Sequence, residues 1–288
     1  MKKLKYINAL GAELELTNYA PFLLLSFTEK GKVTIYNKKG MGQDGSSYLG
    51  NTIETSDKTI ELAVIAESEE ELIHYRNRIN KVFNPKVGEG YLVYTDGLKQ
   101  IKTKCIIDTL PYFTAVNPMV CKCLLSITAC NPFWMDIIES KIDIAFWDGD
   151  FEFDLEIPES TGKEIGHREL SLIVNVFNDG DVECGIRVEF KALATVTNPS
   201  ILNVNTQEFL KVNKTMEAGE LISLTTNFGN KKVESIINEV TTNAFNYVDF
   251  QSTFLQLDTG DNLFRYNADS GIDNLEVTIY YTPQYLGV

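Results

Sequence analysis

The amino-acid sequence predicts a mainly β protein, with an N-terminal α+β domain followed by an antiparallel β-sandwich. The alternation of apolar and polar residues that is typical of strands runs through most of the 288 residues. Helical spacing is convincing in one segment, "EEELIHYRNRINKV". Turn residues divide the second half of the chain into many short strands. We therefore expect β-sheets with one amphipathic helix in residues 1–139 and a sandwich in residues 140–288.

The first 66 residues predict strands joined by one flexible loop. The expected strands are "LKYINALGAELEL", "FLLLSFTEKGKVTIY" and "NTIETSDKTIELAVIA". In the third of these, Ile60, Leu62 and Val64 share one face. Residues 38–50, "KKGMGQDGSSYLG", are rich in glycine, so we predict a mobile loop there.

The helix is delimited by start and stop signals. Ser68 and Glu71 have the spacing of a capping box, in which each side chain bonds the backbone amide of the other. Pro85 ends the helix because it cannot continue the hydrogen bonding, and it disfavours helical backbone at Asn84. The apolar stripe of the helix consists of Leu72, Tyr75, Ile79 and Val82. We expect this stripe to cover one face of a sheet.

A hairpin and a long strand complete the first domain. Thr95-Asp96-Gly97 separates two alternating segments, and Asp-Gly is a strong hairpin signal. The long strand is "PMVCKCLLSITAC". Pro132 breaks it, and we expect the following Phe133 and Trp134 to anchor the joint to the second domain.

The second half has the pattern of an all-β sandwich. Its expected strands are "KIDIAFW", "FEFDLEI", "HRELSLIVNVFN", "CGIRVEFKALA", "EFLKVNKTM", "ELISLTTNF", "STFLQLD" and "LEVTIYYTP". Turns are expected at residues 178–180, 198–199, 218–219 and 259–262.

Charge and hydropathy limit the function classes. The 26 Lys and Arg residues against 40 Asp and Glu residues give a net charge of −14, which argues against a protein that grips nucleic acid through a basic face. A channel through which DNA slides is compatible with this charge, because a basic lining would capture the polyanion. No apolar run has the length of a membrane span, and the start lacks the apolar block of a signal peptide. We expect a protein made and kept in the cytoplasm until it assembles.

The sequence predicts no metal, cofactor or catalytic site. The five cysteines are an odd number, and Cys121 and Cys123 share a strand face with Leu125, which favours buried structural thiols over zinc ligands. A run of carboxylates in "FWDGDFEFDLEIPES" resembles a glycosidase pair, but its alternation with apolar residues is also that of the solvent side of a strand. The carboxylates are Asp148, Asp150, Glu152, Asp154 and Glu156.

The order of motifs along the chain resembles one family. A helix ending in "NP", a hairpin, a strand ending in "NPFW", and then "NVFNDGD", "NPSILN", "DTGDNLF" and "YTPQYLGV" are similar to the distal tail proteins of long-tailed, non-contractile bacteriophages. This resemblance implies a homohexameric ring of N-terminal domains with galectin-like C-terminal sandwiches projecting outward. It implies a structural adaptor at the virion tail tip, assembled in the bacterial host. The implied partners are the tail tube protein, a tail-tip hub protein and a receptor-binding protein, with DNA passing through the ring.

The resemblance gives roles to particular residues as hypotheses. The helix stripe Leu72, Tyr75, Ile79 and Val82 would brace the sheet that lines the channel. The candidate assembly contacts are Gly42, Asp44, Gly45, Asp96, Gly97 and Lys99, which are also compatible with ordinary solvent loops. The excess acidic residues would either line the channel or keep the protein soluble.

Carbohydrate binding is the alternative function. A galectin-like sandwich suggests it, and Trp147 could stack on a sugar. The other galectin-type residue kinds, His167 and Arg168, stand together but far from Trp147 in the sequence.

Overall fold

The protein consists of two compact units. The computed structural model describes residues 2–97, 99–145, 147–148, 167–168 and 173–288. The first unit is Met1–Ile137 with Tyr285–Val288, and the second is Ile138–Gln284. The last four residues belong to the first unit, although the sequence alone places them in the second. The reason is that Tyr285 is buried and its hydroxyl donates to Asp136 at 3.2 Å.

The first unit contains one large antiparallel sheet and the helix α1 (Glu69–Val82). Its strands are β1 (Lys3–Ile7), β2 (Glu13–Leu16), β3 (Phe22–Lys38), β4 (Ser47–Ile65), β5 (Gly90–Thr95), β6 (Gln100–Ile107), β7 (Tyr112–Asn117), β8 (Val120–Ala129) and β9 (Trp134–Asp136). They follow the order β2-β1-β5-β6-β8-β4-β3, with β7 beside β8 and β9 beside β6. A single 3₁₀ turn, Pro85–Val87, follows the helix.

The helix has the predicted bounds and a modified start. The Ser68 hydroxyl accepts from the Glu71 amide at 3.2 Å, as a capping box requires. The Glu71 carboxylate accepts from the Glu67 amide at 2.8 Å and from the Tyr75 hydroxyl at 2.6 Å, so it reaches one residue further back than expected. The hydrogen bond from Tyr75 lowers the pKa of Glu71.

The helix stripe packs against the core of the first unit. Leu72, Ile79 and Val82 are buried, whereas Tyr75 is half-buried and meets the Phe22 ring edge-on. Phe83 lies outside the predicted stripe and is nevertheless fully buried against the core. The expectation of one amphipathic helix covering one face of a sheet is therefore confirmed.

The second unit is an antiparallel sandwich. Its strands are β10 (Ser140–Ala145), β11 (Trp147–Asp148), β12 (His167–Arg168), β13 (Ile173–Asn178), β14 (Cys184–Ala192), β15 (Val196–Thr197), β16 (Ser200–Asn203), β17 (Phe209–Lys211), β18 (Thr215–Met216), β19 (Leu221–Thr225), β20 (Lys232–Ile237), β21 (Val240–Asn243), β22 (Gln256–Leu257), β23 (Gly260–Asn267) and β24 (Leu275–Tyr281). A last strand, β25 (Gln284–Tyr285), pairs with β9. Short 3₁₀ turns occur at Phe245–Tyr247 and Ile272–Asn274.

Two sheets of the second unit share one core. The orders are β10-β24-β14-β19-β20-β21 and β13-β23-β16-β17. Val188 and Ile279 of the first sheet and Phe264 of the second are fully buried in the same cluster. The predicted sandwich is thus confirmed, although the expected strand "FEFDLEI" lies outside the described residues. No described helix has the length and apolar composition to cross a membrane.

Five strands of the second unit were not expected from the sequence: β15, β16, β20, β21 and β23. The turn expected at residues 259–262 overlaps β23, which begins at Gly260. The corner before it is closed by Asn262, whose side chain bonds both the amide and the carbonyl of Asp258. Asn262 therefore forms the turn although it lies within the first residues of β23.

We predict that the helix stripe is essential to the first unit. Leu72→Ala and Ile79→Ala should each lower the free energy of unfolding by about 2 to 5 kcal/mol, because each leaves a cavity under the helix. Ile73→Ala is the matched control, since Ile73 is 51% exposed on the same helix and should change stability by less than about 0.5 kcal/mol. Denaturant unfolding measures all three. Equal stability of the three variants would contradict the packing.

A buried carboxylate predicts acid sensitivity of the second unit. Burial would raise the pKa of Glu220, but hydrogen bonds from Lys214, Ser235 and the Glu217 amide outweigh it, and the pKa is lowered. The lowered pKa adds stability above 4.5, the ordinary value, and this part is lost as pH falls through the pKa of the folded state. Unfolding measured against pH should show that Glu220→Gln reduces the loss of stability below pH 4.5. An unchanged acid dependence would refute this.

Candidate assembly interface

The first unit contains a long hairpin whose strands extend a few residues beyond those that the sequence predicts. Strand β3 has 17 residues and β4 has 19, and they pair from Phe22↔Val64 to Lys38↔Ser47. The predicted mobile loop at 38–50 was wrong in extent, since only residues 39–46 lie outside the strands. Each strand satisfies the backbone groups on the inner edge of the other, and these cross-strand hydrogen bonds continue to the end of the hairpin.

The distal part of this hairpin, residues 30–55, projects from the core and is called the arm below. None of its residues is buried. The arm is held by cross-strand side chains, with Thr34 donating to Glu54 at 2.6 Å and the Tyr36 and Thr52 hydroxyls 3.1 Å apart. Its exposed large apolar side chains are Val33, Ile35, Tyr36, Met41, Tyr48 and Leu49. Exposed apolar side chains that form a contiguous patch mark contact surfaces, which makes the arm a candidate for a contact with another protein.

A buried polar network fixes the root of the arm. The Lys58 ammonium is fully buried and donates to Glu29 at 2.6 Å and to Ser56 at 2.8 Å. Ser56 donates to the same Glu29 oxygen at 2.9 Å, and the indole of Trp134 donates to both oxygens at 3.0 and 3.1 Å. The Glu29 carboxylate therefore accepts from three side chains of three different kinds.

This network sets the register of β3 against β4. Glu29 and Lys58 are direct partners in the ladder, so a slip by one residue would point both charges away from each other. A buried charge without its partner is strongly unfavourable, which favours one register over its alternatives. Trp134, which the sequence assigned to the joint between domains, is fully buried in this network. The available sequence signal was that Lys58 is in phase with Ile60 and hence on the core face.

The arm strand β3 and the short strand β7 are both edges. Beyond its first residues, where Thr17 bridges to Leu23, β3 pairs among the described strands only with β4. Within the same described set, β7 pairs only with β8. Both edges present unpaired backbone groups to the surroundings and can add a strand from another chain.

The strand directions of the two edges are opposite. Successive pairs β3·β4, β4·β8 and β8·β7 are all antiparallel. With three reversals, β3 and β7 run in opposite directions. An edge β7 of one copy would therefore meet the edge β3 of another copy as an antiparallel pair.

The predicted assembly contacts lie at the tips of two hairpins. Gly42, Asp44 and Gly45 lie at the tip of the arm, where both glycines have left-handed backbone that other residues rarely adopt. Asp96, Gly97 and Lys99 lie in the turn between β5 and β6, where Asp96 accepts from the Lys99 amide at 3.1 Å. The Lys99 ammonium lies over the Tyr285 ring of its own chain. The contact role of these six residues stays a prediction.

The cysteines are packed thiols. Cys121 and Cys123 are buried on the core face of β8, as their alternation predicts. Burial raises the pKa values of the Cys105, Cys123 and Cys184 thiols to about 12, so they are protonated at neutral pH. Within the described part of the chain, no group of three His, Cys, Asp or Glu residues has the arrangement of a metal site.

The residues considered for enzyme and sugar functions are described only in part. Asp150, Glu152, Asp154 and Glu156 lie outside the described residues. Trp147 and Arg168 are far apart in the sequence, but their backbones are partners in the ladder between β11 and β12. Distance along the sequence does not reveal a pairing of this kind.

Two segments of the chain match known families of phage tail proteins. Residues 9–119 match the phage tail protein RIFT-related domain, and residues 179–285 match the C-terminal domain of the siphovirus-type tail component. The chain belongs to the siphovirus distal tail protein family. The two matches together cover most of the chain and include both units. No curated protein matches the chain.

Solved structures share the fold over the whole length. The crystal structure of the phage SPP1 Dit protein, described as a paradigm of the hub adsorption apparatus of phages infecting Gram-positive bacteria, aligns with a TM-score of 0.72 and 12% identity over 98% of this chain and 99% of that chain. A chain of the phage p2 baseplate, in its activated conformation with calcium, aligns with a TM-score of 0.53 and 11% identity over 100% of both. Family membership makes this chain a structural component of a phage tail, in agreement with the sequence resemblance.

We predict that removing one partner of the network at the root of the arm is costly. Lys58→Met should destabilise the first unit by about 3 to 5 kcal/mol, because it leaves the Glu29 carboxylate without its cation. Lys122→Met is the control, since the Lys122–Glu61 pair is exposed and worth less than about 1 kcal/mol.

A double-mutant cycle separates the pair from its parts. The Lys58→Met, Glu29→Leu double variant should be more stable than the sum of the two single losses predicts, because no unpaired charge remains. Denaturant unfolding of the four chains measures the coupling. Strictly additive losses would mean that the two side chains do not act together.

Proposed function

We propose that six copies of this chain form a ring at the distal end of a phage tail. In this proposal the ring joins the tail tube to a tail-tip hub protein, and DNA passes through it without specific binding. Family membership supports a structural role in the tail. The number six comes from the sequence resemblance to distal tail proteins.

The observation that carries the ring is the pair of free, oppositely directed edges. An edge β7 joined to the next copy's β3 is a contact between two different surfaces, and contacts of this type close into rings when the rotation allows. Repetition would extend the four strands β3, β4, β8 and β7 into one continuous antiparallel sheet. Each such contact covers β7 and part of the β3 edge, which reduces the aggregation liability of both strands.

The position of the helix supports the orientation of such a sheet. Helix α1 covers the face that carries Ile60 and Leu125, so the opposite face of β4 and β8 is the one left to line a channel. That face carries Asp57, Glu61 and Lys122, so its charges are mixed. The excess of acidic residues in the whole chain is therefore explained equally well by solubility and by a channel lining that does not bind DNA.

The second unit would carry the outward contacts of the adaptor. Its sandwich has a complete core of its own, so it can project from the ring without support. A receptor-binding protein is a candidate partner for this unit. The proposed location is the tip of the virion tail, after assembly in the host cytoplasm.

The proposal predicts a ring in solution. Light scattering on a sizing column should give a species six times the mass of one copy, and negative-stain images should show a central hole. A protein that remains monomeric at high concentration would contradict self-assembly of the isolated chain.

A point variant tests the edge β7 directly. Val116 is 58% exposed on β7, and Val116→Lys should prevent ring formation without loss of folding, because a charge on an edge opposes strand addition. Val240→Lys is the control, since Val240 is 63% exposed on the edge strand β21 of the second unit and should leave the ring intact. Rings formed equally well by both variants would refute the role of β7.

A further inference from the structure

The arm and a second surface of the first unit have complementary charge. In residues 30–39, which are the outer part of β3 and the residue after it, four lysines occur without a single acidic residue, in a chain whose net charge is −14. They are Lys30, Lys32, Lys38 and Lys39, all of them exposed. Within the described residues, none of the four has an ion-pair partner in its own chain.

The complementary surface is acidic and adjoins the edge β7. Glu67, Glu69 and Glu70 are exposed at the start of α1. The Ala66 amide bonds the Met119 carbonyl at 3.0 Å, which places the start of the helix directly beside the end of β7. Further along, the Arg76 guanidinium of the helix lies 4.8 Å from the centre of the Phe113 ring on β7. The edge β7 and the acidic start of α1 are therefore one continuous surface.

Both surfaces also expose apolar side chains. On the arm these include Val33 and Ile35, which are 51% and 61% exposed. On β7 and in the turn that follows it they are Tyr112, Val116 and Met119. Apolar groups next to charges of opposite sign suit a contact between proteins, whereas nucleic acid needs chiefly the cations.

We propose that the arm of one copy docks its lysines on the acidic start of α1 in the neighbouring copy, so that charge pairing selects the head-to-tail contact of the ring. The partner that the arm binds is thus a second copy of this chain. This inference rests on the proposed ring and names the surfaces that close it. The two surfaces differ in sign, so two identical surfaces repel and each copy must accept the next in one orientation.

The buried network at the root prepares the arm for this contact. Because Glu29, Lys58 and Trp134 fix where the arm leaves the core, less freedom is lost when it docks. The cross-strand bonds of Thr34 and Tyr36 continue this ordering outward. The lysines are therefore presented on an extended scaffold.

Reversal of charge on each surface tests the proposal. The arm-reversed chain carries Lys30→Glu, Lys32→Glu, Lys38→Glu and Lys39→Glu. The helix-reversed chain carries Glu67→Lys, Glu69→Lys and Glu70→Lys, and retains Glu71 because that residue bonds the Glu67 amide and Tyr75. Each chain alone should associate at least about a hundredfold more weakly than wild type, since like charges then face each other across the contact.

Mixing the two reversed chains gives the decisive result. In an alternating ring every arm meets a surface of opposite charge, and six positions allow strict alternation, so an equimolar mixture should form rings again. A single chain with all seven reversals should also form rings. Rescue of this kind cannot occur if either reversed chain is simply misfolded.

The control variant changes the same number of charges elsewhere. Lys2→Glu, Lys86→Glu, Lys231→Glu and Lys232→Glu reverse four exposed lysines that the proposal does not use, and this chain should assemble like wild type at equal ionic strength. Association is measured by light scattering over a range of protein concentrations. Binding to duplex DNA is measured in parallel.

Each contrary outcome has a distinct meaning. The charge-paired contact would be overturned if both reversed chains formed rings as well as the wild type does. It would also be overturned if the two reversed chains did not form rings on mixing. In both cases the ring proposal would stand. Loss of DNA binding in the arm-reversed chain with intact rings would assign the arm to nucleic acid and likewise overturn it. A wild-type chain that never forms rings would contradict the ring itself.

Discussion

A strand has hydrogen-bonding backbone groups along both of its edges, and β3, which has 17 residues, is paired along most of its length on one edge only. Strand β3 pairs with β4 over its full length, while most of its outer edge has no described partner. The backbone groups on that edge are satisfied by water in the isolated chain or by another strand in an assembly. The ladder between β3 and β4 keeps the arm extended, and its outer edge is where a further strand would add.

The remainder of the first unit holds this edge in place. The helix covers one face of the sheet through Leu72, Ile79 and Val82, which leaves the edges and the opposite face for contacts. The network around the fully buried Lys58 fixes where the arm leaves the core. The second unit buries its own core between two sheets and needs no such support. The second unit therefore folds around a core of its own.

Local signals predicted the parts of the fold that local chemistry determines. The helix is predictable because Ser68 and Pro85 set its ends and its stripe has one period. The β5–β6 hairpin is predictable because Gly97 accepts the positive φ of its turn. The β20–β21 hairpin was missed because its turn places Glu239 after Asn238, both with positive φ, where the usual second residue is glycine.

The full length of the arm could not be predicted. Residues 30–36 and 51–55 lie in expected strands, but residues 38 and 47–50 were assigned to the glycine-rich loop, because no buried face imposes a hydrophobic alternation on them. The root network had a weaker signal, a lysine in phase with Ile60. Glu29 lies 29 residues from Lys58 in the sequence, and Trp134 lies 105 residues from Glu29. Only the fold brings these three residues together.

Amide hydrogen exchange tests the central claim most directly, because it reports on backbone hydrogen bonds at each edge. Exchange is compared between dilute, dissociated protein and concentrated, assembled protein. We expect assembly to slow exchange in residues 30–38 of β3 and in β7, with no change in the equally exposed edge strand β21. Slowed exchange elsewhere in the first unit, with both edges unchanged, would show that the copies do not join through these strands.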